Sequence, residues 1–289
     1  MIPTRVLIDW RPRAPWPDED QVEQDLVLTR ALITLFDGPA AQFVALRGGT
    51  ALHKLVLPEP GRYSEDIDLV QRTAGPIKPV VAAIQKVLDP WLGPPATDAR
   101  RDAFRLVYRY DAEASGARRR LKVEINTREH EPFGAWSPRT LACETRWSTG
   151  TAAIVTFEDE ELLATKLRAL YQRRKGRDLY DLGVALERLT LDDDQIVELF
   201  GRYLARQGLA VSGKEMEANV AQKLGERLFT GDIGPLLRIG ETFDITAAAE
   251  EADREAQVSD GSRRLAPTSL SRFDSSCGVA TSHLGERRF

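Results

Sequence analysis

Sulfur and imidazole are scarce in this sequence: two cysteines, Cys143 and Cys277, and three histidines, His53, His130 and His283, in 289 residues. Two cysteines outside any CxxC pair exclude a disulfide framework and fit a reducing compartment, so the cytoplasm is the expectation. The scattered histidines exclude a zinc site, so a bound metal here would be held by oxygen, with magnesium the expected ion. No run approaches the roughly 18 apolar residues of a membrane span, and the N-terminus lacks the apolar stretch of a signal peptide, so no membrane role is expected. The formal charge of −4 argues against wholesale coating of nucleic acid, although 40 basic residues can still form local patches.

What is present is a soluble-type composition, 42% apolar, with enough length for a substantial core. Residues 1–20, rich in proline and charge, read as an extended arm. Apolar spacing predicts a helix over 21–36, stopped by Gly38-Pro39. A strand over 43–46 turns at Gly48-Gly49 into a helix over 50–57, and a second strand follows over 64–70. A helix over 79–88 is expected to close at Pro90. Alternation over 104–110 and 121–125 predicts a hairpin with Glu124 on its polar face. From Phe157 to about Glu255 the pattern is helical. Gly176 is read as ending one helix, another runs over 178–188, and Asp192-x-x-Gln195 and Ser212-x-x-Glu215 open two more as capping boxes. The expected division is an arm over 1–20, an α+β core over 21–156 built on a small mixed sheet, a helical bundle over 157–255, and a disordered tail over 256–289.

Chemistry concentrates in three blocks. Asp66 and Asp68, two apart on a strand, share a face and can grip one cation. Alone this is weak, since 44 acids in 289 residues produce roughly seven acid-x-acid pairs by chance. Gly48-Gly49-Thr50 strengthens it, because glycines at a strand-to-helix turn let backbone N–H groups approach phosphate oxygens. The order of glycine turn, Asp-x-Asp strand and a hairpin strand offering Glu124 as third acid points to two-metal transfer of a nucleotide from a triphosphate. Glu124 could equally be a salt-bridge partner of Lys122 or Arg105. An unpaired trio of acids would be repulsive, so bound cations are expected to stabilise it. In the third block, Lys166 lies on a largely apolar helical seam, and Asp178 and Asp181 share a face of the next helix, where they could fix Lys166 or Arg177. Arg174 and Lys175 read as a solvated helix end.

The segments Val22-Glu23-Gln24-Asp25-Leu26, Arg47-Gly48-Gly49-Thr50-Ala51-Leu52, Tyr63-Ser64-Glu65-Asp66-Ile67-Asp68, Val123-Glu124-Ile125, Lys166-Leu167-Arg168 and Arg177-Asp178-Leu179-Tyr180-Asp181 together resemble the AbiEii/AbiGii toxin family of nucleotidyltransferases. That family is the toxin half of abortive-infection toxin–antitoxin systems, within the DNA polymerase β-like superfamily, and the resemblance spans roughly residues 22–250. It implies a polymerase β-like core with a C-terminal helical bundle and metal ligation by Asp66 and Asp68, with Glu124 as the third ligand. It also implies phosphate contact by Gly48, Gly49, Thr50 and Ser64, and essential roles for Lys166 and Asp181, supported by Arg168, Arg177 and Asp178. Thr50 stands where the superfamily usually has serine. The implied substrates are an NTP with Mg²⁺ and an acceptor, in several members the 3′ end of tRNA, and the implied partner is a winged-helix, AbiEi-like antitoxin. Arginines between residues 100 and 122 and between 166 and 177 would then grip the RNA. Two other readings keep the motifs: a small-molecule or protein acceptor, and a nucleotide- or antitoxin-binding module without turnover.

Overall fold

The computed structural model describes residues 2–113 and 115–245, so the expected tail over 256–289 and the last stretch of the helical region lie outside the described residues. The N-terminal segment is not an extended arm throughout. Thr4–Trp10 forms helix α1, which buries Val6, Leu7 and Trp10, and the chain after it buries Ala14 and Trp16. The indole N–H groups of Trp10 and Trp16 donate to the two oxygens of buried Asp25, at 2.9 and 3.2 Å, and Lys54 meets the same carboxylate at 2.7 Å. Two tryptophans seeking partners for their N–H groups explain why a proline- and charge-rich segment docks.

Helix α2 (Glu19–Phe36), capped by Asp18, is buried over most of its circumference. Strand β1 (Val44–Arg47) leads directly into α3 (Gly48–Ala51), which continues as a π-helical turn over Leu52–Val56. After β2 (Asp66–Gln71), α4 (Ile77–Leu92) runs through Pro90 and stops at Gly93, whose φ is +74°. Pro90 therefore does not close the helix. It sits in the last turn, and buried Leu92 and the packing of Trp91 against Arg30 and Trp147 hold the chain helical beyond it.

Strands β3 (Ala96–Ala99), β4 (Ala103–Asp111) and β5 (Arg118–Asn126) complete a five-stranded mixed sheet of order β1-β2-β5-β4-β3, in which β2 and β5 are parallel and the other pairs antiparallel. A separate hairpin, β6 (Trp136–Glu144) and β7 (Thr149–Phe157), attaches to the core where Thr156 Oγ1 donates to the Leu46 carbonyl at 2.8 Å. The helical half contains α5 (Asp159–Gln172), α6 (Gly176–Arg188), α7 (Asp193–Ala205), α8 (Gly213–Leu224) and the short α9 (Arg227–Thr230). Asp192 caps α7, and Ser212 with Glu215 forms the expected capping box of α8. Gly176 opens α6 rather than ending α5, and glycine is needed there because a β-carbon would stand 2.2 Å from the Phe229 carbonyl oxygen. The fold is α+β. One apolar cluster fills the space around the sheet, α1, α2, α4 and the hairpin; a second lies among α5 to α9 and takes in Leu52 and Leu57 from the π turn and its end.

Candidate active site

The sheet register assembles a row of charges from five strands. Arg47 is opposite Asp68, Asp68 beside Glu124, Glu124 opposite Arg105, and Arg105 opposite Asp98. One rung away, Asp66 is beside Lys122. Asp66 and Asp68 alternate with buried Ile67, so both carboxylates stand on the sheet face away from the apolar core, together with Lys122 and Glu124. Lys122 Nζ meets Asp66 at 2.8 Å and Glu124 at 3.7 Å, and Arg105 Nε donates to Glu124 at 2.6 Å. Lys122 and Arg105 thus engage Asp66 and Glu124, whereas Arg47, opposite Asp68, pairs with Glu129 and acts on Asp68 only through its charge. Neighbouring strands thereby relieve part of the repulsion expected among three acids, while Asp68 still feels the charges of Asp66 and Glu124.

Titration behaviour separates the three carboxyls. Burial, reinforced for Asp68 by the charge of Asp66, pushes Asp68 above the usual carboxylate range; burial also raises Asp66, against the pull of Lys122. Glu124 is pushed up by burial too, but Arg105 and Lys122 outweigh this and hold it below its ordinary value. Among the described residues no group of three His, Cys, Asp or Glu side chains converges as a ready cation cage. The Asp66/Asp68 pair nevertheless fits a divalent cation. Among the described residues no side chain donates to Asp68, whose carboxylate lies directly beside the glycine turn, and Asp66 has only the flexible ammonium of Lys122. Glu124, engaged by a guanidinium, fits this role less well.

The glycine turn owes its shape to what crowds it. Gly48 has φ +79°, and a β-carbon on it would lie 2.6 Å from Asp68 Oδ2. A β-carbon on Gly49 would lie 2.5 Å from Arg62 Nη2. Glycine is therefore required at both positions, which lets the backbone lie against the carboxylate. Thr50 is fully buried. Its hydroxyl donates to the Asp66 carbonyl at 2.6 Å and shares a 2.8 Å hydrogen bond with Ser64 Oγ, so these two hydroxyls clamp the turn to the start of β2.

Beneath the turn lies a buried network centred on Asp181. Arg62 donates to both its oxygens, at 2.6 and 2.7 Å, Lys166 approaches Oδ2 at 2.6 Å, and His53 Nε2 lies 2.8 Å from Oδ1. Burial opposes the Asp181 charge, but Arg62, Lys166 and His53 overcome this and hold it far below the usual range. Burial likewise dominates at His53, whose pKa falls to about 4 against the attraction of Asp181, so the imidazole is neutral near pH 7. Lys166 also meets Asp178 at 3.3 Å, and Asp178 in turn holds Arg173 at 2.5 and 2.7 Å. Asp178 is the main influence raising the Arg173 guanidinium against burial, and the charge of Asp68 adds to it.

Arg177 takes another course, binding Asp232 at 2.8 and 2.9 Å rather than Asp178 or Asp181. Arg168 grips Glu129, which also accepts from Arg47 at 2.8 Å. Glu129 thereby connects the charged row to α5. Sequence reading missed Glu129, Arg62 and His53 as contributors. Arg62 carried a signal, its place four residues before Asp66 within the motif, whereas the ion-pair partners of Glu129 and His53 are 39 to 128 residues distant.

A search of curated protein sequences finds no match. In fold, the chain is similar to MenT4, the nucleotidyltransferase toxin Rv2826c from Mycobacterium tuberculosis, at 19% identity and a TM-score of 0.56, covering 94% of this chain and 92% of that one. It is also similar to the crystal structure of JHP933 from Helicobacter pylori, at 17% identity and a TM-score of 0.51, covering 83% and 92%. The sequence profile described as nucleotidyl transferase AbiEii toxin, type IV toxin–antitoxin system, matches residues 30–255. That match takes in the glycine turn, the carboxylate strand and the lysine helix alike. The chain belongs to the AbiEii family, a nucleotidyltransferase that uses a nucleoside triphosphate and is paired with an antitoxin.

Proposed function

We propose that this toxin transfers a nucleotide, with a divalent cation such as Mg²⁺ held by Asp66 and Asp68, onto the 3′ end of an RNA acceptor, most simply tRNA. The observation that carries the reading is the close approach of the Gly48 backbone to the Asp68 carboxylate, which among the described residues accepts no side-chain hydrogen bond. A cation bound there supplies charge neutralisation for the triphosphate and favours ionisation of the acceptor hydroxyl. The backbone of Gly48 and Gly49 lies against the triphosphate tail. Thr50 and Ser64 act from below, holding that backbone to β2. The ammonium of Lys166, enclosed by Asp178 and Asp181, adds positive potential under the turn, and Arg62 and Asp181 fix its position. The acceptor oxygen forms a bond to the α-phosphorus as the α–β bridging bond breaks, pyrophosphate leaves with that electron pair, and the hydroxyl proton passes to solvent.

The RNA acceptor is supported by the family resemblance and by arginines on the carboxylate face. The same resemblance supports a winged-helix antitoxin, action in the cytoplasm and a role in defence against phage; among the described residues no helix is long and apolar enough to cross a membrane. The direct test is transfer of label from each α-labelled NTP to total tRNA. Asp66→Asn is expected to lose at least a hundredfold in rate, on the scale of removing a metal ligand. Equal labelling by that variant would refute the assignment.

A further inference from the structure

The basic residues around the β4–β5 hairpin are not equivalent. Arg100 is held by Asp98 at 2.8 Å, Arg105 by Glu124 at 2.6 Å, Arg118 by Asp111 at 3.2 Å and Arg119 by Asp20 at 3.7 Å. Arg109 and Arg120 differ. They are opposite each other in the antiparallel ladder, both are exposed, and among the described residues neither side chain has a hydrogen bond or close ion pair. Like charges directly opposed across a ladder repel. A bound anion would relieve that repulsion.

Their placement identifies the anion. Residues 120, 122 and 124 share one face of β5, and on that face Lys122 stands beside Asp66 and Glu124 beside Asp68. The arginine rung is therefore on the carboxylate face, two residues or about 7 Å further along the strand. Asp66 feels the charge of Arg120. Gln24 Nε2 donates to the carbonyls of Arg120 and Glu65, at 2.9 and 3.3 Å, and the Tyr110 hydroxyl donates to Gln24. One buried glutamine thus locks the rung to the residue preceding Asp66. The glycine turn follows β1, on the other flank of β2, so the rung is separated from the triphosphate cradle by the carboxylates themselves.

We propose that Arg109 and Arg120 clamp the phosphodiester backbone of the RNA acceptor, leading its terminal hydroxyl to Asp66 and Asp68. This rests on the reading of the enzyme as one that modifies RNA. Two guanidinium forks match phosphate oxygens in geometry as well as charge. The repulsion in the free protein is the counterpart of the binding site.

The test measures binding of fluorescein-labelled total tRNA by anisotropy across a salt series, with ATP, GTP, CTP and UTP affinities measured by calorimetry alongside. R109Q/R120Q is expected to weaken tRNA binding roughly tenfold at about 50 mM salt and to make the salt slope shallower by about 1 to 2, as for two lost phosphate contacts. Nucleotide affinity should not change, and R109K/R120K should keep most of the slope. R120E, which faces Arg109 with a carboxylate, should melt no lower than the parent while binding tRNA more weakly, a combination that a merely structural role would not produce. Unchanged tRNA affinity and slope in R109Q/R120Q, or a loss confined to nucleotide binding, overturns the clamp. If the parent labels tRNA but the double variant binds it normally, the clamp alone is wrong. If the parent neither binds nor labels tRNA, the acceptor reading falls and the clamp with it.

Discussion

At the scale of single residues, His53 makes a sharp prediction about pH. Its imidazole is buried and neutral, with a folded pKa of about 4 against 6.5 for the free side chain. Between those values the unfolded chain binds the proton and the native one does not, so stability falls as pH drops from 6.5 toward 4 and levels off below. The shift corresponds to roughly 3 kcal/mol at about 1.4 kcal/mol per unit. His53→Gln, which can still donate to Asp181, is expected to flatten this window in urea unfolding at pH 7 and pH 5. Asp181 acts in the same direction at lower pH, since a depressed carboxyl loses its stabilising contribution as pH falls through its folded pKa. At this scale the sequence was informative about the strand acids, because alternation alone places Asp66 and Asp68 together. It was silent about Glu129, whose importance arises from Arg47 and Arg168 arriving from distant parts of the chain.

At the scale of elements, the glycine turn is the most constrained feature. Gly48→Ala places a side chain at φ +79° and its β-carbon 2.6 Å from Asp68 Oδ2. The left-handed backbone alone costs about 1–2 kcal/mol. A melting point lower by several degrees is therefore expected, together with loss of pyrophosphate release as Asp68 is pushed aside. An unchanged melting point would show that the turn relaxes freely. The turn was legible because glycine pairs carry conformational information wherever they occur. Strand β3 and the β6–β7 hairpin were not: β3 is Ala-Thr-Asp-Ala and fully exposed, β6 contains Pro138, and β7 begins with small residues. Their strand character comes from pairing rather than from apolar alternation. The same principle accounts for α4 continuing through Pro90, where packing brought by folding holds the last turn.

At the scale of the whole molecule, the Asp181 network joins the sheet to the helical bundle. Arg62 and His53 come from the segment between β1 and β2, Lys166 and Asp181 from α5 and α6. Asp181→Leu alone leaves Arg62 buried without its carboxylate and Lys166 with only Asp178, at an expected cost of about 3–5 kcal/mol. Combining it with Arg62→Met removes the uncompensated guanidinium, so the double variant should be more stable than the Asp181→Leu single variant in urea melts. Additive losses would mean the two groups act independently. By itself the sequence determined the motifs, the mixed α+β class and the face on which the strand acids lie, because those follow from local periodicity and backbone sterics. Only the tertiary structure decided that Lys122 and Arg105 engage Asp66 and Glu124, that Lys166 is enclosed by Asp178 and Asp181, and that Arg109 and Arg120 confront each other without an acid paired to either among the described residues. Electrostatic partners are set by distance in space, which chain separation does not encode.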